Sequence, residues 1–530
     1  MARAIEKVFR TKTFSQSALL FFFVGVTGIC LLAYLNFWLF VFDRHVGTAG
    51  AVIFTVTGLV QSVRSWRFLR DQLRDPWMRL CAVCWAYVGI FYGALQRLYI
   101  LNDGREMIVE NATDRFLSLP PDNQLPYITA DLLRYGKDYR VILDEWLSSD
   151  RPPLQSALYM LFSWGPNGYI YQSLSLILQC LWVVPVLYGV QFFVRSREKA
   201  FALVIWLSLV GFIALNSIFV WPKMVAAAFF MMSWLLLEDY FADASKKGKL
   251  FLAALAFEFS LLFHSGVGFA LPLLAFTFLA GMLKLPNWRE RFVSVLYFVG
   301  VVLPLQFSWG LYQKFIAPPG NRLLKWHLGG AVDVDSRGVS ETIREAYAKL
   351  SFLDWWSGRE ANFNMLYQPY AWERLPARVQ QFFHLIPSLG ILAIGWIIVF
   401  ARFAMAPRGE EKKVQLRTFG GLISGLIFWI TVMIVPGSTV LHQGSYAIFM
   451  LIFSVGAWGL ISLPRKWAMT AFAWQIFWFL RVWCSKPEKF FKMQKPGTLR
   501  ESCAALMVVT FVCFLAFYYR EFRKQKLLPR

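Results

Sequence analysis

Residues 17–42 read SALLFFFVGVTGICLLAYLNFWLFVF, a run without a single charged side chain. A helix needs roughly 20 apolar residues to cross the hydrocarbon core of a bilayer, and this run supplies more. Arg3, Lys7, Arg10 and Lys12 precede it, as in a signal peptide. The apolar part is longer than the roughly 7–15 residues of a signal-peptide core, so it reads as a retained first membrane helix.

The same kind of block recurs along the chain. Apolar runs occupy residues 46–63, 77–96, 169–194, 201–220, 224–241, 250–263, 266–283 and 292–309, then 385–403, 419–435, 447–463, 467–482 and 503–519. The expected fold is all-α: a polytopic transmembrane bundle of twelve to fourteen helices. Composition agrees. Charged residues are 16% of 530 and hydrophobic ones 57%, against about 25% charged in soluble domains. The mean hydropathy is +0.48. A net charge of +22 belongs to short basic loops rather than to a nucleic-acid-binding domain, for which no soluble basic segment exists. The seven Cys are scattered through apolar runs. Cys81 and Cys84 form a C-x2-C inside one of them with no second pair, a packing arrangement rather than a metal site.

Basic connections set the expected orientation. The N-terminus and residues 64–79, 195–199, 246–249, 284–291 and 408–417 are short and rich in Lys and Arg, hence cytoplasmic. The Trp221-Pro222-Lys223 break and the His264-Ser265-Gly266 turn then fall on the far side. So do two long polar connections, residues 97–153 and 311–383, each expected to contain helices lying along the membrane. Together they hold seventeen of the 32 acidic residues, ten and seven respectively. Lipid packing does not require that asymmetry, and long structured connections carry function more often than short ones. The last two apolar runs resist the rule. If residues 467–482 span, the basic stretch 486–500 is outside; if they do not, the basic tail 520–530 is.

The first long connection contains PPDNQLPYITADLLRYGKDYRVILDEWLSSDRPPL, residues 120–154. Asp122 stands where a helix N-cap is expected, ahead of an amphipathic run over residues 125–135 that stops at Gly136. Asp150-Arg151-Pro152-Pro153-Leu154 gives a charged pair and two prolines that fix an extended approach to a short apolar helix. Plain structural roles exist for each of these groups. Asp122 can be only a cap, and Asp150 and Arg151 can pair with each other. Lys223 can snorkel and Trp221 can anchor at the interface. His264 and His442 both fall at outer helix ends beside small residues. Asp333-Val334-Asp335 reads as a turn, since the other ligands of a calcium loop are missing. Asn111-Ala112-Thr113 is a glycosylation sequon. Trp355, Trp356, Tyr367, Tyr370 and Trp372 give the second connection an aromatic surface.

The segment from Asp122 to Leu154 resembles the first outer loop of the GT-C glycosyltransferase superfamily, which includes lipid A aminoarabinose transferases and protein O-mannosyltransferases. D-N-Q-L-P-Y-I-T-A-D-L-L-R-Y-G, from Asp122 to Gly136, stands in place of that family's D-E-x-x-Y-x-x-x-A-x-x-x-x-x-G. Asp150-Arg151-Pro152-Pro153-Leu154 stands in place of its E-K-P-P-L. Asn123 replaces an acidic residue and Arg151 a lysine. The resemblance implies a seven-helix core over residues 77–310, a two-helix extension over 1–76, a second outer loop over 311–383 and added helices over 384–530.

The resemblance also implies a chemistry: transfer of a hexosyl or pentosyl unit from a polyprenyl-phosphate donor to a glycan, lipid or protein acceptor, with inversion, at the outer face. Asp122 is then the general base, and Arg151 and Lys223 bind the donor phosphate. Asn123 and Asp150 of the matched segments are candidate substrate contacts, as are Trp221, His264 and His442 from their place at the outer helix ends. No resident cofactor or metal is implied, although members of the superfamily differ on whether a divalent cation assists. The expected location is a bacterial inner membrane, with the site on the periplasmic side. Two other classes compete. O-antigen ligases and polymerases share large outer loops but rely on Arg and His there, without an early D-N/D-R-P-P-L loop. Transporters and flippases show internal repeats and charges near the midplane, which this sequence lacks.

Overall fold

The computed structural model describes residues 17–97, 123–142, 146–331, 337–367, 385–407, 409–434, 444–483 and 498–523. Asp122, His442, the Asp333–Asp335 turn, the sequon at Asn111, Tyr370 and Trp372 lie outside the described residues. The described chain is a helical bundle with a single two-stranded hairpin, β1 (Val141–Ile142) against β2 (Trp146–Leu147). Nine of its helical segments are long and apolar enough to cross a membrane, ten if one bent pair counts as a span. It is an integral, multi-pass membrane protein.

Each of the fourteen apolar runs is helical, and caps set several boundaries. Helix α1 (Ala18–Phe42) starts at Ser17, whose Oγ accepts the Leu20 N–H at 3.4 Å. Helix α2 (Arg44–Arg64) starts at Asp43, whose Oδ1 accepts the His45 and Val46 amides at 2.8 and 3.0 Å. A short helix, α3 (Trp66–Arg74), leads to α4 (Pro76–Arg97). In the first long connection, α5 spans Leu125–Tyr135 and closes on Gly136 at φ +62°. It begins at Leu125, as expected, with Gln124 at the cap position and Pro126 in the first turn, where its missing N–H costs nothing. Helix α6 (Leu154–Phe162) follows the double proline.

The next span is α7 (Gly168–Gln179) running through a 3-10 turn into α8 (Val183–Phe193). Helices α9 (Arg197–Ser208) and α10 (Gly211–Ile218) form the bent pair, turned by 72°. Side chains satisfy the carbonyls freed at that bend: Tyr92 Oη donates to Ser208 O at 2.9 Å, and Gln475 Nε2 to Leu209 O at 2.7 Å. Helix α11 (Lys223–Ala242) is the central element, its spanning window 89% buried. It packs on α8, on α12 (Lys247–Phe263) and on α13 (Leu271–Lys284), and α14 (Trp288–Leu311) packs on α12.

The second long connection contributes α15 (Arg322–Gly329), α16 (Val339–Ala348) and α17 (Phe352–Asn364). Side chains from α17 tie it down. Arg359 and Asn362 donate to the carbonyls of Thr431, Met433 and Ile430 at the end of α20 (Glu410–Val432). The Ile434 amide donates to His327 O at 2.9 Å, fixing α15 to the same place. Helices α18 (Leu385–Leu389) and α19 (Leu392–Met405) enter the bundle, and α19 meets α21 (Tyr446–Ile461) through glycine. A Cβ on Gly395 would sit 1.8 Å from Gly456 O, so only glycine permits that backbone contact.

Contacts of α22 (Arg465–Trp483) and α23 (Thr498–Tyr518) settle which ends lie together. Glu521 bonds Arg79 at 2.5 Å and Arg197 at 3.0 Å, and Tyr518 Oη bonds Glu198 at 2.7 Å. The end of α23 therefore sits with the short basic connections. Phe479 packs on Phe91, near the opposite end of α4. Helix α22 thus runs the length of the bundle towards the end that carries the two long polar loops.

Candidate functional site

Two cations and two imidazoles converge at the loop end of the bundle. Lys223 is the first residue of α11 and is 3% exposed. Its Nζ lies 4.0 Å from the Trp221 ring centroid and 5.1 Å from that of Tyr446. Arg151 is also buried, with its guanidinium carbon 4.9 Å from the Trp146 ring centroid. Aromatic faces flank each cation. Both charges act on His264 and His327. Burial, then Arg151 and Lys223, pushes the His327 imidazole down to about 3. Burial, then Lys223 and Arg151, holds His264 well below its ordinary range. Both rings are therefore neutral at pH 7.

His264 offers a donor. It closes α12, and its Nδ1 accepts the Gly266 N–H at 3.0 Å. The neutral ring therefore carries its proton on Nε2. That nitrogen is buried, with no hydrogen-bond partner among the described residues. Trp221 stands edge-on to the ring, centroids 6.1 Å apart.

The turn carrying Trp221 and Lys223 is strained. Val220 has φ +54°, an unfavourable backbone for a β-branched residue. Its carbonyl accepts Gln155 Nε2 at 3.0 Å. Gln155, four residues beyond Arg151, also donates to Tyr171 Oη at 2.7 Å. Tyr171 in turn donates to Asn123 O at 2.8 Å. The Val225 amide in the first turn of α11 donates to Gln179 Oε1 at 3.0 Å. One polar network therefore links the Asn123 backbone, the Arg151 segment and the Lys223 turn. Asn123 is fully buried beside it.

Asp150 has a different partner from the one its sequence neighbour suggests. Its Oδ2 accepts from Arg322 Nη1 at 2.8 Å and from the Leu147 amide at 2.9 Å, with both side chains of the ion pair at most 5% exposed. Arg322 also lies 5.2 Å from the Trp146 centroid, so Trp146 carries both guanidiniums.

Of the residues singled out from sequence, Arg151, Lys223, Trp221 and His264 come together, and Asn123 and Asp150 adjoin them. His327, Arg322 and the fully buried Lys325 were not singled out. Their signal was a short helix in which Arg, Lys and His alternate with Leu and Trp. Among the described residues no group of three or more His, Cys, Asp or Glu is placed to hold a metal ion.

No family model matches the chain, and no curated protein matches it. Among solved structures it is similar to the crystal structure of ArnT from Cupriavidus metallidurans bound to undecaprenyl phosphate. The identity is 13%, over 84% of this chain and 71% of that one, with a TM-score of 0.44.

Proposed function

We propose that the protein is an inverting membrane glycosyltransferase that moves a sugar from a polyprenyl phosphate to a glycan, lipid or protein acceptor. The observation that carries this reading is the linking of the Arg151 segment to the Lys223 turn through Gln155, beside the His264 Nε2–H, which has no partner among the described residues. Two basic side chains, a neutral N–H donor and the amino end of the central helix form a site for an oxyanion. Its place at the end of a membrane bundle suits a phosphate carried on a lipid.

The acceptor hydroxyl or amine attacks the anomeric carbon as the bond from that carbon to the phosphate oxygen breaks. The bonding electrons leave with the phosphate, which departs as a dianion. Arg151 and Lys223 balance its two charges, and the His264 Nε2–H donates to an oxygen; such preorganised charge is commonly the largest catalytic contribution. Asp122, next in the chain to the anchored Asn123, takes the acceptor proton, with a rate contribution of about 10²–10⁴. Trp221 walls the sugar side, and His442 is assigned to the acceptor side. Asp150 supports the substrate pocket by holding Arg322. The two long connections face the outside of a bacterial inner membrane, opposite the basic short ones, and the product is a cell-envelope glycan.

The test combines turnover with binding. In membranes supplied with lipid-linked sugars, Asp122→Asn should abolish transfer, while the purified variant still binds polyprenyl phosphate. Full transfer by that variant would remove the assignment.

A further inference from the structure

At the opposite end of the bundle, where α1 begins, α8 ends, α11 ends and α12 begins, lies a cavity of about 220 Å³. Ser17, Tyr188, Gln191, Arg195, Lys246 and Lys249 supply its polar lining, and Leu20 and Phe192 its apolar wall. Asp239 also lines it but is already engaged: Tyr188 Oη donates to its Oδ2 at 2.5 Å and Lys249 Nζ bonds the same oxygen. Lys246 pairs at 2.8 Å with Asp243 on an exposed turn, a pairing of small worth. The balance over these groups is positive.

Two further features point to a ligand. Arg195 has φ +58°, and its amide donates to Val190 O at 2.8 Å, closing the end of α8. Glycine adopts that backbone freely and is the usual residue there. An arginine kept at a strained position places a permanent cation at the cavity mouth. Gln191 Oε1 is buried in the lining with no hydrogen-bond partner among the described residues. A buried acceptor of that kind calls for a donor.

We propose that this cavity binds the headgroup of a membrane phospholipid, with Arg195 and Lys246 on its phosphate and Gln191 Oε1 accepting from a glycerol hydroxyl or an ethanolamine ammonium. The apolar wall of Leu20 and Phe192 takes the first carbons of the chains. The ligand thus has an anionic centre, a donor beyond it and a hydrocarbon tail. A free phosphate has only the first, and a phosphocholine headgroup lacks the donor. This site is independent of sugar transfer.

Native mass spectrometry of the full-length protein in detergent, with phosphatidylglycerol, phosphatidylethanolamine, phosphatidylcholine or inorganic phosphate added, separates these cases. The expected result is one retained phosphatidylglycerol or phosphatidylethanolamine per chain and little retention of phosphatidylcholine or phosphate. Arg195→Gly relieves the backbone and should fold at least as well, yet lose affinity for those lipids by about tenfold or more. Gln191→Leu should erase the preference over phosphatidylcholine. Undiminished retention by Arg195→Gly, equal retention of all three lipids, or equal protection by inorganic phosphate overturns the proposal.

Discussion

Asp150 and Arg322 lie 172 residues apart in the chain and form a buried ion pair of 2.8 Å that joins the two long connections. Both partners touch the wall of the cationic recess: Asp150 precedes Arg151, and Arg322 shares the Trp146 ring with it. Removing one member of such a pair strands the other charge away from water. Arg322→Ala should lower stability by about 3–5 kcal/mol. Thermal unfolding in detergent measures this, and a midpoint within a degree of wild type would contradict it.

Arg151 and Lys223 should act on binding more than on folding. Each charge-assisted bond to phosphate is worth about 1.5–3 kcal/mol, so Arg151→Gln and Lys223→Gln should each weaken polyprenyl phosphate about 10–100-fold. The double variant should bind it too weakly to titrate. Fluorescence titration with a short-chain prenyl phosphate measures both.

His327 couples stability to pH. Its folded-state value, about 3, lies below the unfolded value near 6.5. The unfolded chain therefore holds the extra proton between those limits, and stability rises with pH across them. It is complete above about 6.5 and falls on acidification towards 3, by about 1.4 kcal/mol per pH unit for this residue. His327→Gln should flatten the decline between pH 6.5 and 5 in a thermal-shift series. An unchanged slope would count against the neutral, buried ring.

The contacts of Glu521 with Arg79 and Arg197 predict the sidedness of the last two helices. A cysteine introduced at Lys489 should react with an impermeant maleimide from the face bearing the long connections. One at Lys526 should react only from the other face. Labelling of both from one side would contradict the arrangement.

How far the sequence could be read follows from the range of each interaction. Block length alone marks α1, and the Pro-Pro pair and Gly136 mark the edges of α6 and α5. Lys223 stands out as a lone charge at a break in an apolar pattern, and Arg151 as half of a charged pair ahead of two prolines. The amphipathic run from Leu125 to Tyr135 is helical over those bounds. The pairing of Asp150 with Arg322, the Gln155–Val220 bond and the convergence of His327 on Lys223 all join segments distant in sequence. No local pattern encodes them. The topology of α22 and α23 was undecidable from charge because residues 486–500 and 520–530 are both basic, and the Glu521 contacts resolve it.

The most direct test of the central claim is an experimental structure with a polyprenyl phosphate bound. The account predicts the phosphorus within contact of Arg151 and Lys223, one phosphate oxygen accepting from His264 Nε2, and the Asp122 carboxylate on the side where the sugar would sit. A phosphate bound elsewhere, with Arg151 and Lys223 unchanged in their aromatic cradles, would contradict it.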